Sequence, residues 1–560
     1  METNSDESVR RRLEEELNIK IYPGTEIMRD VGSHNFIKSS ANGDAVLVPQ
    51  PSPSPHDPLN WNRWWKLGVI SMTTAMSFSQ ALAPQAVAPI YPQLMETFNA
   101  SLPQVVQFAG VGILVLGFSN FFWVPLMMSY GRRPVLLAST ALCMAANAWR
   151  ALATSYNSFM GACILNGFAA GPAETALPQT ITDTMFLHQR GAYQTLYFSF
   201  YFGGLMVGPI VSGPMSQGAG WRSFFWLNTG LLCTILLLLL LFCPETNWQR
   251  TFLSDTEQSV AVPVRGEDTT NADSPEKLEV VELEQHIELA SPEKTRTQGN
   301  VADTDCWLGK GYPSKKQFKL WQRDNNLGFQ SLLMHVLTPL ELLIYPIPCI
   351  ASFIVSWTSN SMLILLLTQS QAFAEPPYNL GSRTIGLFNV AILIGTFIGL
   401  ATNGPFSDWV SMKATKRNPG IREPEMRLPA MIPYLVIYII GNFVVAFGYQ
   451  YKWSWKIIVI IGYSCAGIQV ATLPSIISTY AVDSYKRVAG MLFVTITINK
   501  NLWAYGLTKF ITRWSEASGF VIPMMMNMAL ALFFCSLTIV FYFKGKTFRK
   551  WTANSKVHRM

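Results

Sequence analysis

Charge is scarce in this sequence. Asp, Glu, Lys and Arg make up 14% of the 560 residues, against about 25% in ordinary soluble domains. With a mean hydropathy of +0.22, that shortage argues against a string of soluble domains, each with its own core. Paired cysteines are also missing. The eight cysteines are scattered, mostly inside apolar blocks, with no Cys-x-x-Cys pair, so neither a metal framework nor a disulfide scaffold is expected. No Gly-x-x-x-x-Gly-Lys-Ser/Thr phosphate loop is present, which argues against direct ATP drive. The six His fall in tails, loops or near block ends, so no deep metal site is expected. No catalytic constellation stands out, and neither an enzyme nor a bound cofactor is expected. The formal net charge of +7 comes from short basic clusters between apolar blocks. That is not the one-sided basic face of a nucleic-acid binder.

What the chain does have is apolar blocks of about twenty residues, the length that crosses a hydrocarbon core. Spans are expected at roughly 65–91, 105–128, 134–153, 157–185, 192–215 and 221–243, then at 338–368, 384–403, 428–449, 455–481, 487–511 and 519–543. Only helices satisfy the backbone of such blocks in lipid. The expected fold is an all-α membrane protein of twelve transmembrane helices in two six-helix, pseudo-symmetric halves. The halves are 64–243 and 337–544. Around them lie a disordered tail at 1–63, a linker at 244–336 and a short tail at 545–560. The first tail is polar, carries Arg10-Arg11-Arg12, and ends near Pro51-Ser52-Pro53-Ser54-Pro55, which cannot continue a helix. No cleavable signal peptide opens it. Within the linker, Glu276–Glu284 reads as flexible chain or a short surface helix.

Lys and Arg collect on one side if the spans alternate. They include Arg132 and Arg133, the basic run at 413–427, and Lys544, Lys546, Arg549 and Lys550. Both termini and the linker are therefore expected in the cytosol. Asn99-Ala100-Ser101, a glycosylation acceptor pattern, then falls outside. An internal echo supports two related halves. Pro125 and, after a short turn, Gly131-Arg132-Arg133 follow the second span, while Pro405, Asp408 and a basic run follow the eighth. Such repeats around a midplane site are the plan of a secondary transporter.

Several motifs, in order, carry a resemblance to the major facilitator superfamily, and within it to its fungal twelve-span drug:proton antiporter branch. The first is Tyr130-Gly131-Arg132-Arg133-Pro134. The second is Gly203-Gly204 with Gly208-Pro209-Ile210-Val211-Ser212-Gly213-Pro214 in the fifth span, where small residues allow close helix approach. The third is Asn166-Gly167-Phe168-Ala169-Ala170-Gly171-Pro172-Ala173-Glu174. Trp221–Trp226, Pro244-Glu245-Thr246, Ile421–Leu428 before the ninth span and Tyr480–Tyr485 closing the tenth complete the set. The resemblance implies a latch at the cytosolic turn, a conformational role for Gly204, Gly208, Pro209 and Gly213, and alternating access. It also implies an acidic residue where Met128 stands and an Arg where Cys163 stands, so the usual charges are absent at both places.

Glu174 is the leading functional residue. It is the acidic group placed deep in the first half, and an unpaired carboxylate in a membrane costs several kcal/mol. Desolvation favours its neutral form, which suits proton binding. Lys500 is the second deep charge. Gln80, Gln85, Asn166, Tyr201, Trp357 and Asn360 are candidates for the cavity wall. Gate candidates are Asp183, Arg132, Arg133, Arg190, Asp408, Glu423, Glu425, Arg427 and Asp483. The expected activity is proton-coupled efflux of a small amphipathic compound such as a toxin, drug or secondary metabolite. Its partners are substrate, proton and lipid bilayer, with no nucleic acid, in a monomer at the plasma membrane. The alternatives are a proton-coupled importer of an organic cation such as a polyamine, and a non-transporting nutrient receptor.

Overall fold

The computed structural model describes residues 26–27, 51–52, 54–248, 307–319, 329–418, 421–485, 488–552 and 555. The linker segment Glu276–Glu284 and the run Arg10–Arg12 lie outside them.

Each expected span falls on helical structure, and the breaks follow the prolines and glycines. Helix α1 (Arg63–Gln85) stops at Gln85 rather than running to 91. A 3-10 turn at Ala88–Ile90 containing Pro89 follows. Helix α2 (Tyr91–Phe98) is ended by Asn99 in the left-handed region, φ +49°. Ser101 starts α3 (Leu102–Tyr130), with Gln104 reaching back to the Ser101 backbone N–H at 2.8 Å. Gly131, φ +94°, turns the chain into α4 (Arg132–Leu152). That conformation is open to glycine at little cost.

The fourth span departs from the single helix expected over 157–185. It is two helices, α5 (Tyr156–Ala169) and α6 (Pro172–Thr184). Pro172 has no N–H to continue the ladder, and its fixed φ starts a new helix instead. Helices α7 (Leu187–Gly218) and α8 (Arg222–Phe242) complete the first half.

In the second half, α9 (Phe329–Leu342) precedes α10 (Pro346–Phe373), so the expected span beginning at 338 is interrupted near Tyr345. Helix α11 (Ser382–Arg417) follows, and a 3-10 stretch at Pro424–Ala430 leads into α12 (Met431–Gln450). The next passage opens with π-helical turns at Ile458–Tyr463 and continues as α13 (Ser464–Ser484). Helix α14 (Ala489–Ser518) is followed by α15 (Val521–Thr552), which runs well past the expected end at 543. Eight helical passages among the described residues are long and apolar enough to cross a membrane. The strands described are β1 (Glu26–Ile27) and β2 (Ile421–Arg422), a two-residue antiparallel ladder.

The halves meet along two seams, α3 on α14 and α7 on α11. Both are built on small residues. A side chain at Gly117 would lie 2.8 Å from Asn501, and one at Gly213 would lie 2.6 Å from the Ser382 carbonyl. Within the first half, Gly204 lets α7 touch the α1 backbone at Phe78, and Gly208 does so at Leu82. The Pro209 carbonyl packs on Gly386 of α11.

Parts of the tail and linker are ordered where they pair with each other. The expected disorder of 1–63 and flexibility of 244–336 do not extend to residues 54–62 and 307–318. Gly311 N–H donates to the Asn60 carbonyl at 2.9 Å and its own carbonyl accepts from Asn62 N–H at 2.8 Å. Asp57 caps the turn through Leu59 N–H at 3.0 Å, and Trp61 is fully buried. Backbone groups left dry must pair, and these two segments supply each other's partners.

Candidate functional site

The break in the fourth span positions the site. Because α6 begins at Pro172, Glu174 sits in its first turn. Unpaired N–H groups and the helix dipole favour a carboxylate there. The Glu174 side chain is 4% exposed.

Lys500 of α14 meets it from the other half. Its Nζ lies 2.6 Å from Glu174 Oε1, with the lysine side chain 15% exposed. Tyr201 of α7 donates its hydroxyl to the same oxygen, and the Lys500 ammonium lies 5.6 Å from the centre of the Tyr201 ring. Asn501 Nδ2 approaches the second carboxylate oxygen at 3.4 Å. Tyr197 donates to the Glu174 carbonyl at 2.8 Å. Neighbouring bonds fix the α6 backbone: Ser77 of α1 donates to the Ala173 carbonyl at 3.1 Å, and Thr175 donates to Asn120 of α3 at 2.9 Å. A carboxylate and an ammonium from different halves are thus held inside the protein. Breaking such a pair one-sidedly strands a buried charge and costs about 3–5 kcal/mol.

Three sequence candidates, Glu174, Lys500 and Tyr201, therefore converge. The others do not reach this cluster. Gln80 faces Ser139 and Thr140 at 3.4 Å. Asn166 packs on the Cys143 sulfur at 3.2 Å. Gln85 is buried at the end of α1. Trp357 stacks obliquely on Trp503 with ring centres 5.1 Å apart, and Asn360 is buried in α10.

Among the described contacts, seven gate candidates fall into clusters at the helix ends, one around Asp183 and two around Asp408 and Glu423. In the first half Arg132 pairs with Asp183 at 2.7 Å. Glu245, just past α8, accepts the backbone N–H groups of both Arg132 and Arg133 at 2.9 Å. Its carboxylate caps the start of α4. The Arg133 guanidinium donates to the Leu240 carbonyl at 2.6 Å and to the Phe318 carbonyl.

In the second half Asp408 pairs with Arg427 at 2.9 Å. Glu423 and Glu425 hold Arg549 at 2.5 and 2.8 Å, and Lys546 adds to Glu423 at 2.9 Å. Burial alone would push the Glu423 carboxyl up. The hydrogen bond from Lys546 and the charge of Arg549 outweigh it and hold the group below the ordinary carboxylate value. Asp483 lies in the last turn of α13. Arg190 lies on α7, with its side chain outside what is described.

Sequence reasoning missed Tyr197, Asn501, Arg549 and Arg150. Asn501 adjoins Lys500, and Glu245 stands in a quoted motif that was given no chemistry. Arg150 is fully buried. Its guanidinium reaches the Ala83 carbonyl near the end of α1 at 3.5 Å and lies beside Cys163. A cation absent from position 163 thus arrives from the neighbouring helix.

Comparison with known proteins agrees with this architecture. An uncharacterised MFS-type transporter of Schizosaccharomyces pombe is 25% identical, over 93% of this chain and 90% of its own length. Protein HOL1 of Saccharomyces cerevisiae is 24% identical, over 95% and 94%. The efflux pump radE of Floropilus chiversii is 22% identical, over 83% and 77%. Among solved structures, the proton:xylose symporter XylE of E. coli matches with a TM-score of 0.56 at 12% identity, covering 86% of this chain and 97% of that one. The human organic anion transporter MFSD10 gives 0.51 at 15% identity, covering 84% and 99%. These two likenesses establish the fold. Residues 73–504 match the profile of the Major Facilitator Superfamily, and with a helical membrane fold in two halves the chain belongs to that family of transporters.

Proposed function

We propose that this protein is a proton-coupled exporter of small amphipathic organic compounds, of the drug:proton antiporter type. It works by alternating access between halves 64–243 and 337–544. In this reading twelve spans keep both termini on one side, the basic loops make that side the cytosol and leave Asn99 outside, and the default site is the plasma membrane. The observation that carries the reading is the Glu174–Lys500 pair, 2.6 Å long and shared between the halves. When the halves separate at that level, the carboxylate loses its cation. Taking up a proton then removes the cost of a bare buried charge. Releasing the proton restores the pair. Proton binding and the rocking of the halves are coupled through one contact.

The small-residue seams at Gly204, Gly208, Pro209 and Gly213 fit a helix that must slide against α1 and α11. The arginine pairs at Asp183 and Asp408 brace the helix ends on the side read as cytosolic. Export is supported by the relative named as an efflux pump. A second reading, import of an organic cation, is favoured by the chemistry of the cage. A carboxylate and a tyrosine face already hold an ammonium there.

The test is flux of a candidate compound in proteoliposomes with and without an imposed proton gradient. A gradient is expected to accelerate transport against the proton flow. Transport indifferent to the gradient would overturn proton coupling, and uphill accumulation by whole cells would select import. No flux of any compound would favour a receptor.

A further inference from the structure

We propose that the linker segment Trp307–Lys319 is a strap that binds anionic phospholipid headgroups beside the first and sixth spans. Assigning it to the inner leaflet rests on the orientation proposed above.

Depth is the first argument. Phe318 packs edge-on against Trp65, ring centres 6.3 Å apart, and Trp65 lies in the first turn of α1. Arg133 covers the same Phe318 ring at 5.6 Å while its guanidinium reaches the Leu240 carbonyl in the last turn of α8. Phe318 is therefore level with the ends of two spans. Leu241 and Phe242 at that end of α8 are exposed, as is Trp64. In a bilayer those side chains face acyl chains and headgroups.

Charge is the second. The strap carries Lys310, Lys315, Lys316 and Lys319 and no Asp or Glu. Each of these lysines is exposed, and so is Arg63 at the start of α1. Clusters of four or more basic groups next to a span attract anionic lipid, by roughly fivefold per charge.

Attachment is the third. Basic residues that serve only to orient the chain during insertion need no docking afterwards. This strap is held in place. The Gln317 carbonyl accepts from Glu245 N–H at 2.8 Å, and the Gln317 side chain donates to the His56 carbonyl at 3.2 Å. Ordering the backbone beforehand lowers the cost of binding a headgroup.

The experiment uses the purified full-length protein in detergent, where the answer does not depend on which way the chain faces. Native mass spectrometry reads the lipid retained from equal amounts of phosphatidylserine and phosphatidylcholine. The wild type is expected to prefer phosphatidylserine, and raising the salt should release it. The triple variant K315Q/K316Q/K319Q should lose more than about tenfold of that retention, while K315R/K316R/K319R keeps it. Equal retention of the two lipids by the wild type, or unchanged retention by the glutamine variant, would overturn the proposal. Adding a phosphoinositide identifies the source. Binding in proportion to charge supports the bulk anionic leaflet, and a larger excess supports a dedicated phosphoinositide site.

Discussion

The ion pair inside the bundle and the ion pairs at its loop edge are built from the same kinds of side chain to opposite ends. Glu174 and Lys500 come from different halves, with a hydrogen-bonding tyrosine on the carboxylate. Glu423 and Glu425 of the second half pair with Lys546 and Arg549 on the continuation of α15, and Arg132 and Asp183 of the first half sit with Glu245, just past α8. An alternating-access cycle can leave these described pairs intact, since Lys546 and Arg549 lie on α15 with the second half and Glu245 directly follows α8 of the first. It cannot leave the central pair intact if the halves part at that level. The contrast separates charges that hold a half together from a charge pair that reports on the distance between halves.

The sharpest way to break this contrast is a double-mutant cycle on the central pair. Glu174→Gln and Lys500→Met each strand a buried partner and are expected to cost about 3–5 kcal/mol. The double variant should cost clearly less than the sum, read from thermal unfolding in nanodiscs. Additive effects would mean that the two side chains do not pair in the membrane.

Arg549→Met should lose comparable stability, about 3 kcal/mol, because two carboxylates are left without their buried cation. Exchange of substrate per folded molecule should persist, since the cluster lies within one half. Glu245→Gln removes the charge from two backbone hydrogen bonds at the start of α4 and is expected to cost about 1–3 kcal/mol in the same assay.

The smallest effect concerns pH. Glu423 is held below its ordinary value in the folded protein. Its stabilising contribution is therefore present above the unfolded carboxylate value and lost as pH falls through the lowered folded one. Unfolding midpoints should drop on the acid side for the wild type and drop less for Glu423→Gln.

Much of this was legible in the sequence because lipid leaves few options. Apolar length gave the spans, and the cost of burying charge singled out Glu174 and Lys500 separately. That they meet was not legible, because helix phase and packing of the halves decide it. Tyr197 and Asn501 were hidden for the same reason: polar side chains are common along these helices, and only contact distinguishes one. The break at Gly171-Pro172 was visible as letters but not as the device that places Glu174 at a helix start. Arg549 was assigned to a tail because apolar length ends near 543. The helix continues because Lys546 and Arg549 find carboxylates in the segment that leads into α12. The basic strap at 307–319 was hidden inside a polar linker, since docking to 54–62 leaves no periodic signature.

The central claim is that Glu174 joins the proton to the movement of the halves. Its most direct test is Glu174→Gln in proteoliposomes, measured two ways: substrate–substrate exchange with no gradient, and net flux driven by an imposed proton gradient. The account predicts that exchange survives while gradient-driven flux falls by about tenfold or more. A variant that follows the gradient as the wild type does would contradict it.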